Sequence, residues 1–183
     1  MSEVFELRQY TLHPGRRDEL IELFEREFIE TQEAAGIRLV GLFRDLDRPD
    51  YFVWIRGFES MEQRKEALTR FYGGPVWKQH RDAANATMID SDDVLLLRLV
   101  PPFAFPATLP GPALHVTVFD PAARVDAPLT LLETEPAENT FPALPVRKSN
   151  VKVALSVDPV VGDALQRMRL EPTRRSKLTS SRA

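Results

Sequence analysis

Val4-Phe5-Glu6-Leu7-Arg8-Gln9-Tyr10-Thr11-Leu12 places Phe5, Leu7, Gln9 and Thr11 on one side of an extended chain and Glu6, Arg8, Tyr10 and Leu12 on the other, because side chains alternate along a strand. Pro14-Gly15 then breaks the strand. A helix is predicted over residues 16–35, where Leu20, Phe24, Phe28 and Ala35 share a stripe flanked by Ile21 and Ile29. Asp18 and Glu19 suit the positive end of its dipole, and Gly36 suits a left-handed cap.

Reading onward, residues 37–45 and 50–58 form a strand pair around the polar turn Asp47-Arg48-Pro49-Asp50. Ser60-Met61-Glu62-Gln63 is a capping box opening a second helix, with Met61, Leu68 and Phe71 on its apolar stripe. Gly73-Gly74 ends that helix, and Pro75 starts a shorter one running to about Ala86. Residues 94–100 are apolar enough for a central fourth strand. The order β-α-β-β-α-β predicts an α+β, ferredoxin-like antiparallel sheet with helices on one face, over residues 1–100.

Residues 101–112 hold five prolines and are expected to be a stiff linker. A smaller, mainly-β C-terminal part is expected over residues 113–170, with strands at 115–119, 129–133 and 151–157 and a helix over 159–170. Leu7, Pro14 and Arg17 match Leu114, Pro121 and Arg124 at a constant offset, which suggests a truncated second ferredoxin-like copy without its first helix. Residues 171–183 are expected to be a frayed basic tail, the sharper alternative being a contact with phosphate or an acidic partner.

The bulk numbers exclude several classes. A chain of 183 residues that is 43% hydrophobic can build a packed core. A net charge of −3 does not mark a nucleic-acid partner. There is no cysteine, so disulfides and thiolate chemistry are absent. His13, His80 and His115 stand at no metal-ligand spacing, so no metal site is expected. No Gly-x-Ser-x-Gly elbow accompanies His115 and Asp120. Gly73-Gly74 lacks the residues of a phosphate loop. No apolar run approaches the ~20 residues of a membrane span. With a strand beginning at Val4 there is no room for a leader, so a cytoplasmic location is expected.

Phe5-Glu6-Leu7-Arg8-Gln9-Tyr10 followed by Pro14-Gly15, then Leu39-Val40-Gly41-Leu42-Phe43, Phe58-Glu59-Ser60-Met61-Glu62-Gln63-Arg64 and Pro75-Val76-Trp77, resembles the NIPSNAP family over roughly residues 4–99. The resemblance implies a dimeric α+β barrel, a fold shared with small monooxygenases, haem-degrading enzymes and stress-induced barrel proteins. It implies no established enzymatic activity. A cofactor is not demanded, although haem stays open through those relatives.

A four-stranded sheet with helices on one side leaves a second face to be covered. That face would carry residues from sets such as Tyr10/Leu12, Phe52/Trp54 and Leu95/Leu97, according to the register. Covering several hundred Å2 contributes on the order of 10 kcal/mol. The expected solution is a second sheet that closes a barrel, supplied by a second chain or by the C-terminal strands; a homodimer is favoured, with the C-terminal strands as an added part and the barrel interior as the ligand site.

If Arg8, Tyr10, Trp54 and Arg56 all point inward, two cations and two aromatics line one cavity suited to an anionic or planar aromatic ligand. The competing reading pairs Arg8 and Arg56 with Glu6 or Glu59 and places the aromatics in the core. Trp77, His80 and Ala84 share a stripe of the short helix, which makes His80 the first candidate for a general base or haem ligand, against a purely structural role. The ligand-pocket candidates are therefore Arg8, Tyr10, Trp54, Arg56, Trp77 and His80. Arg64 matches a family arginine, or simply pairs with Glu62 or Glu66. Asn85 and Asp90 read as turn residues, and Glu133, Glu135 and Glu138 as a solvated acidic rim. The leading expectation is a binding protein for a small molecule or a protein partner. The alternative is a cofactor-independent or haem-using monooxygenase.

Overall fold

Strand β1 (Val4–Leu12) is paired along both edges, with β3 (Tyr51–Phe58) on one side and β4 (Met88–Leu99) on the other. β2 (Arg38–Asp45) continues the sheet beyond β3. In this computed structural model, which describes residues 3–180, four further strands follow: β5 (Leu114–Phe119), β6 (Thr130–Thr134), β7 (Lys152–Ser156) and β8 (Gln166–Pro172). β8 pairs with β2, and β6 pairs with β4. The result is a closed barrel in the order β1-β3-β2-β8-β5-β7-β6-β4, with every neighbouring pair antiparallel.

This corrects the expectation of a barrel closed between two copies. The sheet face opposite the helices is covered by β5–β8 of the same chain. Closure leaves no free strand edge and places alternate residues inside and outside along every strand. The interior is filled by Phe5, Leu7, Phe43, Val53, Ile55, Leu95 and Leu97 from the first half, packed against Val116, Val118, Leu132, Val153, Leu155, Met168 and Leu170 from the second. At one end Gln9 Oε1 accepts hydrogen bonds from Arg48 Nη2 (3.0 Å) and Gln166 Nε2 (2.8 Å). Phe105, from the proline-rich stretch, packs against Phe5 with ring centroids 5.0 Å apart. The interior is therefore core, and the expectation of a ligand site there is overturned.

The other face of β1–β3 is covered by helices. α1 (Arg17–Leu23) passes through a π-helical turn (Phe24–Phe28) into α2 (Ile29–Ala34), where one unbroken α-helix was expected. Gly36 follows at φ +95°, the left-handed conformation that glycine adopts without a Cβ penalty. α3 (Met61–Tyr72) begins as its capping box predicts, with Ser60 Oγ accepting from Gln63 N at 3.1 Å. α4 (Pro75–Asn85) has Pro75 as its first residue. Between helices and sheet lie Val4, Tyr10, Leu12, Leu42, Phe52, Trp54 and Phe58, packed on Leu20, Phe24, Phe28, Leu68 and Phe71.

Two expectations for the C-terminal region are also corrected. The helix predicted over 159–170 is replaced by strand β8, in which Met168 and Leu170 are buried between the exposed Arg167, Arg169 and Glu171. The segment after β8 is docked through residue 180 and does not fray. Arg175 binds Glu25 and Glu30, Ser176 Oγ accepts from Leu42 N at 3.0 Å, and Leu178 N donates to Val40 O at 3.0 Å. Residues 181–183 of the expected tail lie outside the described residues. Among the described residues, no helix is long and apolar enough to cross a membrane, and no three acidic or histidine side chains are grouped to hold a metal ion.

Candidate functional site

Because Phe5 and Leu7 face the barrel interior, Glu6, Arg8 and Tyr10 face the helices. The register places Glu6 opposite Arg56, Arg8 opposite Trp54, and Tyr10 opposite Phe52. Helix α3 adds Arg64. All three guanidiniums converge on one carboxylate: Arg8 Nη1 and Arg56 Nε donate to Glu6 Oε2 at 2.7 and 2.6 Å, and Arg64 Nε donates to Glu6 Oε1 at 2.7 Å. Glu6, Arg56 and Arg64 are fully buried, and Arg8 is 1% exposed. Burial pushes the Glu6 carboxyl up, but Arg56, Arg8 and Arg64 outweigh it and hold the group well below the usual carboxylate range. Burial also pushes the Tyr10 phenol up, so it stays neutral and accepts from Arg8 Nε at 3.2 Å. Arg64 is lowered by burial, which Glu6 offsets only in part.

Aromatic rings wall the cluster. Trp54 lies between Arg8 and Arg56, whose guanidinium carbons stand 5.5 and 4.9 Å from its ring centroid. Tyr10 meets Trp54 edge to face at 5.8 Å. Arg56 Nη1 donates to Gln32 Oε1 (3.1 Å) and to Tyr72 Oη (3.2 Å). From Tyr72 outward the site opens into a groove of about 340 Å3, lined by Arg8, Tyr10, Tyr72, Trp77, Phe141 and Leu144 among others. Tyr72 and Trp77 pack edge to face at 5.0 Å. Asp92 stands exposed at the lip.

The roof of the groove comes from residues 135–147. This strap leaves β6 and returns along β4. It is pinned at its ends by Glu135 N donating to Leu96 O (2.9 Å) and Arg147 N donating to Val94 O (2.8 Å). Between the pins, Asn139 Oδ1 accepts from Arg64 Nη1 at 3.0 Å, and Asn139 Nδ2 donates to Leu144 O at 2.9 Å. Phe141 and Leu144 pack onto the helix-side core.

Of the six pocket candidates, Arg8, Tyr10 and Trp77 line the groove, while Trp54 and Arg56 lie beneath it within the same network. All are on the helix-covered side of the sheet, not inside the barrel. The competing reading, in which both strand arginines pair with Glu6, is what the geometry shows, although the pairs are buried and not at a rim. Arg64 pairs with Glu6, not with Glu62 or Glu66. His80 is turned away: its Nε2 is 3.5 Å from Glu27 Oε2, beside the Phe28 ring, and it does not line the groove. It is therefore not placed to hold a haem in the groove. Sequence reasoning gave no site role to Glu6, Tyr72, Asn139 or Phe141. For Glu6 the signal was available, because it shares the face of Arg8 and Tyr10.

The sequence model of the NIPSNAP family matches residues 5–102. The chain belongs to the NIPSNAP family. Among solved structures, an uncharacterised NIPSNAP-like domain protein from Burkholderia xenovorans is 26% identical, with a TM-score of 0.52, over 57% of this chain and 90% of that one. A NIPSNAP family protein from Agrobacterium tumefaciens strain C58 is 20% identical, with a TM-score of 0.51, over 55% of this chain and 88% of that one. No curated protein matches the chain. In this NIPSNAP family member the family match ends just after β4, so β5–β8 and the strap lie beyond it.

Proposed function

We propose that this NIPSNAP family member is a binding protein for a small molecule with a planar or apolar body, held in the groove between the sheet, α4 and the strap. One observation carries this reading. The groove is walled by Tyr10, Tyr72, Trp77 and Phe141, with Arg8, Asn85 and Asp92 among the polar residues that line it. Apolar walls with few convergent polar groups are the usual make-up of a small-ligand site. The monooxygenase alternative relied on His80, Trp54 and Tyr10 in one pocket, and of these only Tyr10 lines the groove. The ferredoxin-like first half, on this reading, supplies the floor of the site, and the second half acts as a truncated copy that closes the barrel.

Native mass spectrometry of the purified chain tests the reading. A co-purifying adduct is expected on the wild type and not on Ala143→Trp, which fills the groove from the strap. A wild type that carries no adduct, and whose melting temperature responds to no member of a set of small aromatic compounds, would refute it.

A further inference from the structure

Three buried guanidinium charges face a single buried carboxylate, an excess of two positive charges in the protein interior. An arginine cannot relieve such an excess by losing its proton, and a buried charge without a counter-charge is costly. The hydrogen bonds show where compensation is missing. Arg56 Nη2 and Arg64 Nη2 are both buried and have no acceptor, and neither does the neighbouring Trp54 Nε1. The acceptors that do reach the outer nitrogens of these two arginines are all neutral: Gln32 Oε1, Tyr72 Oη and Asn139 Oδ1. Tyr72 is in the wall of the groove, and Asn139, which lines the neighbouring hollow under residues 134–150, is tied through Leu144 O to the strap that roofs the groove.

We propose that this cluster is the receptor for the anionic end of the groove's ligand, an apolar carboxylic acid whose carboxylate replaces Asn139 at Arg64 and pairs with the outer nitrogens of Arg56 and Arg64. The inference rests on the groove reading above and adds the ligand's charge and its anchor. Both arginines are fixed on Glu6, and their outer nitrogens offer charge-assisted donors to a carboxylate. Asn139 is held in the resting state as a neutral stand-in. The strap's backbone pins, at Glu135 and Arg147, lie to either side of it. The aromatic wall then takes the apolar body.

Phenylacetate and its uncharged isostere phenylacetamide are the probes, titrated against the full chain at neutral pH and constant ionic strength, with tryptophan fluorescence and melting temperature as readouts. Phenylacetate is expected to bind at least about tenfold more tightly than the amide, the gain of a charge-assisted pair. Asn139→Asp supplies the missing carboxylate from the strap with almost no change of shape. This variant is expected to melt higher than the wild type and to lose the preference for phenylacetate. Equal binding of acid and amide overturns the charge inference and leaves the groove reading intact. A preference for the acid that survives in Asn139→Asp overturns the placement at Arg56 and Arg64. Binding of neither probe overturns the inference, while the groove reading is decided by the adduct and melting measurements above. The acid–amide comparison on the wild type requires no substitution, so a folding defect in a variant does not blunt it.

Discussion

Strands β4-β1-β3-β2 and strands β8-β5-β7-β6 run in the same spatial order, yet only the first set carries helices on its outer face among the described residues. The inner faces are alike, apolar in both halves. The outer faces differ. In the first half, Val4, Tyr10, Leu12, Leu42, Phe52, Trp54 and Phe58 point outward and require cover. In the second, cross-strand rows such as Arg167–Thr117–Ala154 and Glu133–Lys152 face away from the interior with polar or small side chains, of which Thr117 and Ala154 are buried without a helix over them. A helix is retained where the sheet has two apolar faces, and it can be lost where one face is polar or small. The functional candidates follow the same division, because a buried charge cluster needs a layer over the sheet to shield it.

The largest effect should come from removing the second half. A chain ending after residue 102 exposes the interior face of β1–β4, at a cost on the order of 10 kcal/mol for several hundred Å2. It is expected to aggregate or to run as a dimer in size-exclusion chromatography with light scattering, at a larger apparent size per chain than the full-length protein, whose barrel closes within one chain. A soluble, monomeric fragment would show that the halves are not mutually dependent.

Next is the charge cluster. Glu6→Gln leaves three buried guanidiniums without their carboxylate and should cost about 3–5 kcal/mol in urea unfolding. The pH dependence has a definite sign. The folded carboxyl lies below its unfolded value of 4.5, so its contribution is present above that value and is lost as pH falls through the folded one. The wild type should lose stability from about pH 4.5 downward, and Glu6→Gln should show a shallower acid slope.

Within the barrel wall, Met168→Ala removes an inward side chain of β8 and should cost about 2–5 kcal/mol. Its neighbour Arg169, paired with Asp47 at the surface, should change stability by no more than about 0.5 kcal/mol when replaced by alanine. Equal effects at the two positions would contradict the inside–outside alternation of β8.

That alternation was already visible in Arg167-Met168-Arg169-Leu170-Glu171, where period 2 fits better than 3.6, and the helix expected there overlooked it. The first half was more legible because each boundary carries its own chemical signal, as at Ser60, Pro75 and Gly36. The site was legible only in part. Arg8, Tyr10, Trp54 and Arg56 share one face of the sheet, but periodicity on a strand says which residues share a face and not which layer that face meets. Asn139 and Phe141 are about 130 residues from β1 along the chain, and no local pattern ties them to it.

Sequence by itself determined the strand and helix order of residues 4–99, the family, and the company Glu6 keeps with Arg8 and Tyr10, because these depend on local periodicity and on capping. Tertiary structure alone decided that the barrel closes within one chain, that its interior is solid, and that three arginines meet one carboxylate beneath a strap. Those outcomes depend on which surfaces remain apolar after every strand has found its neighbours, and that is a property of the assembled sheet.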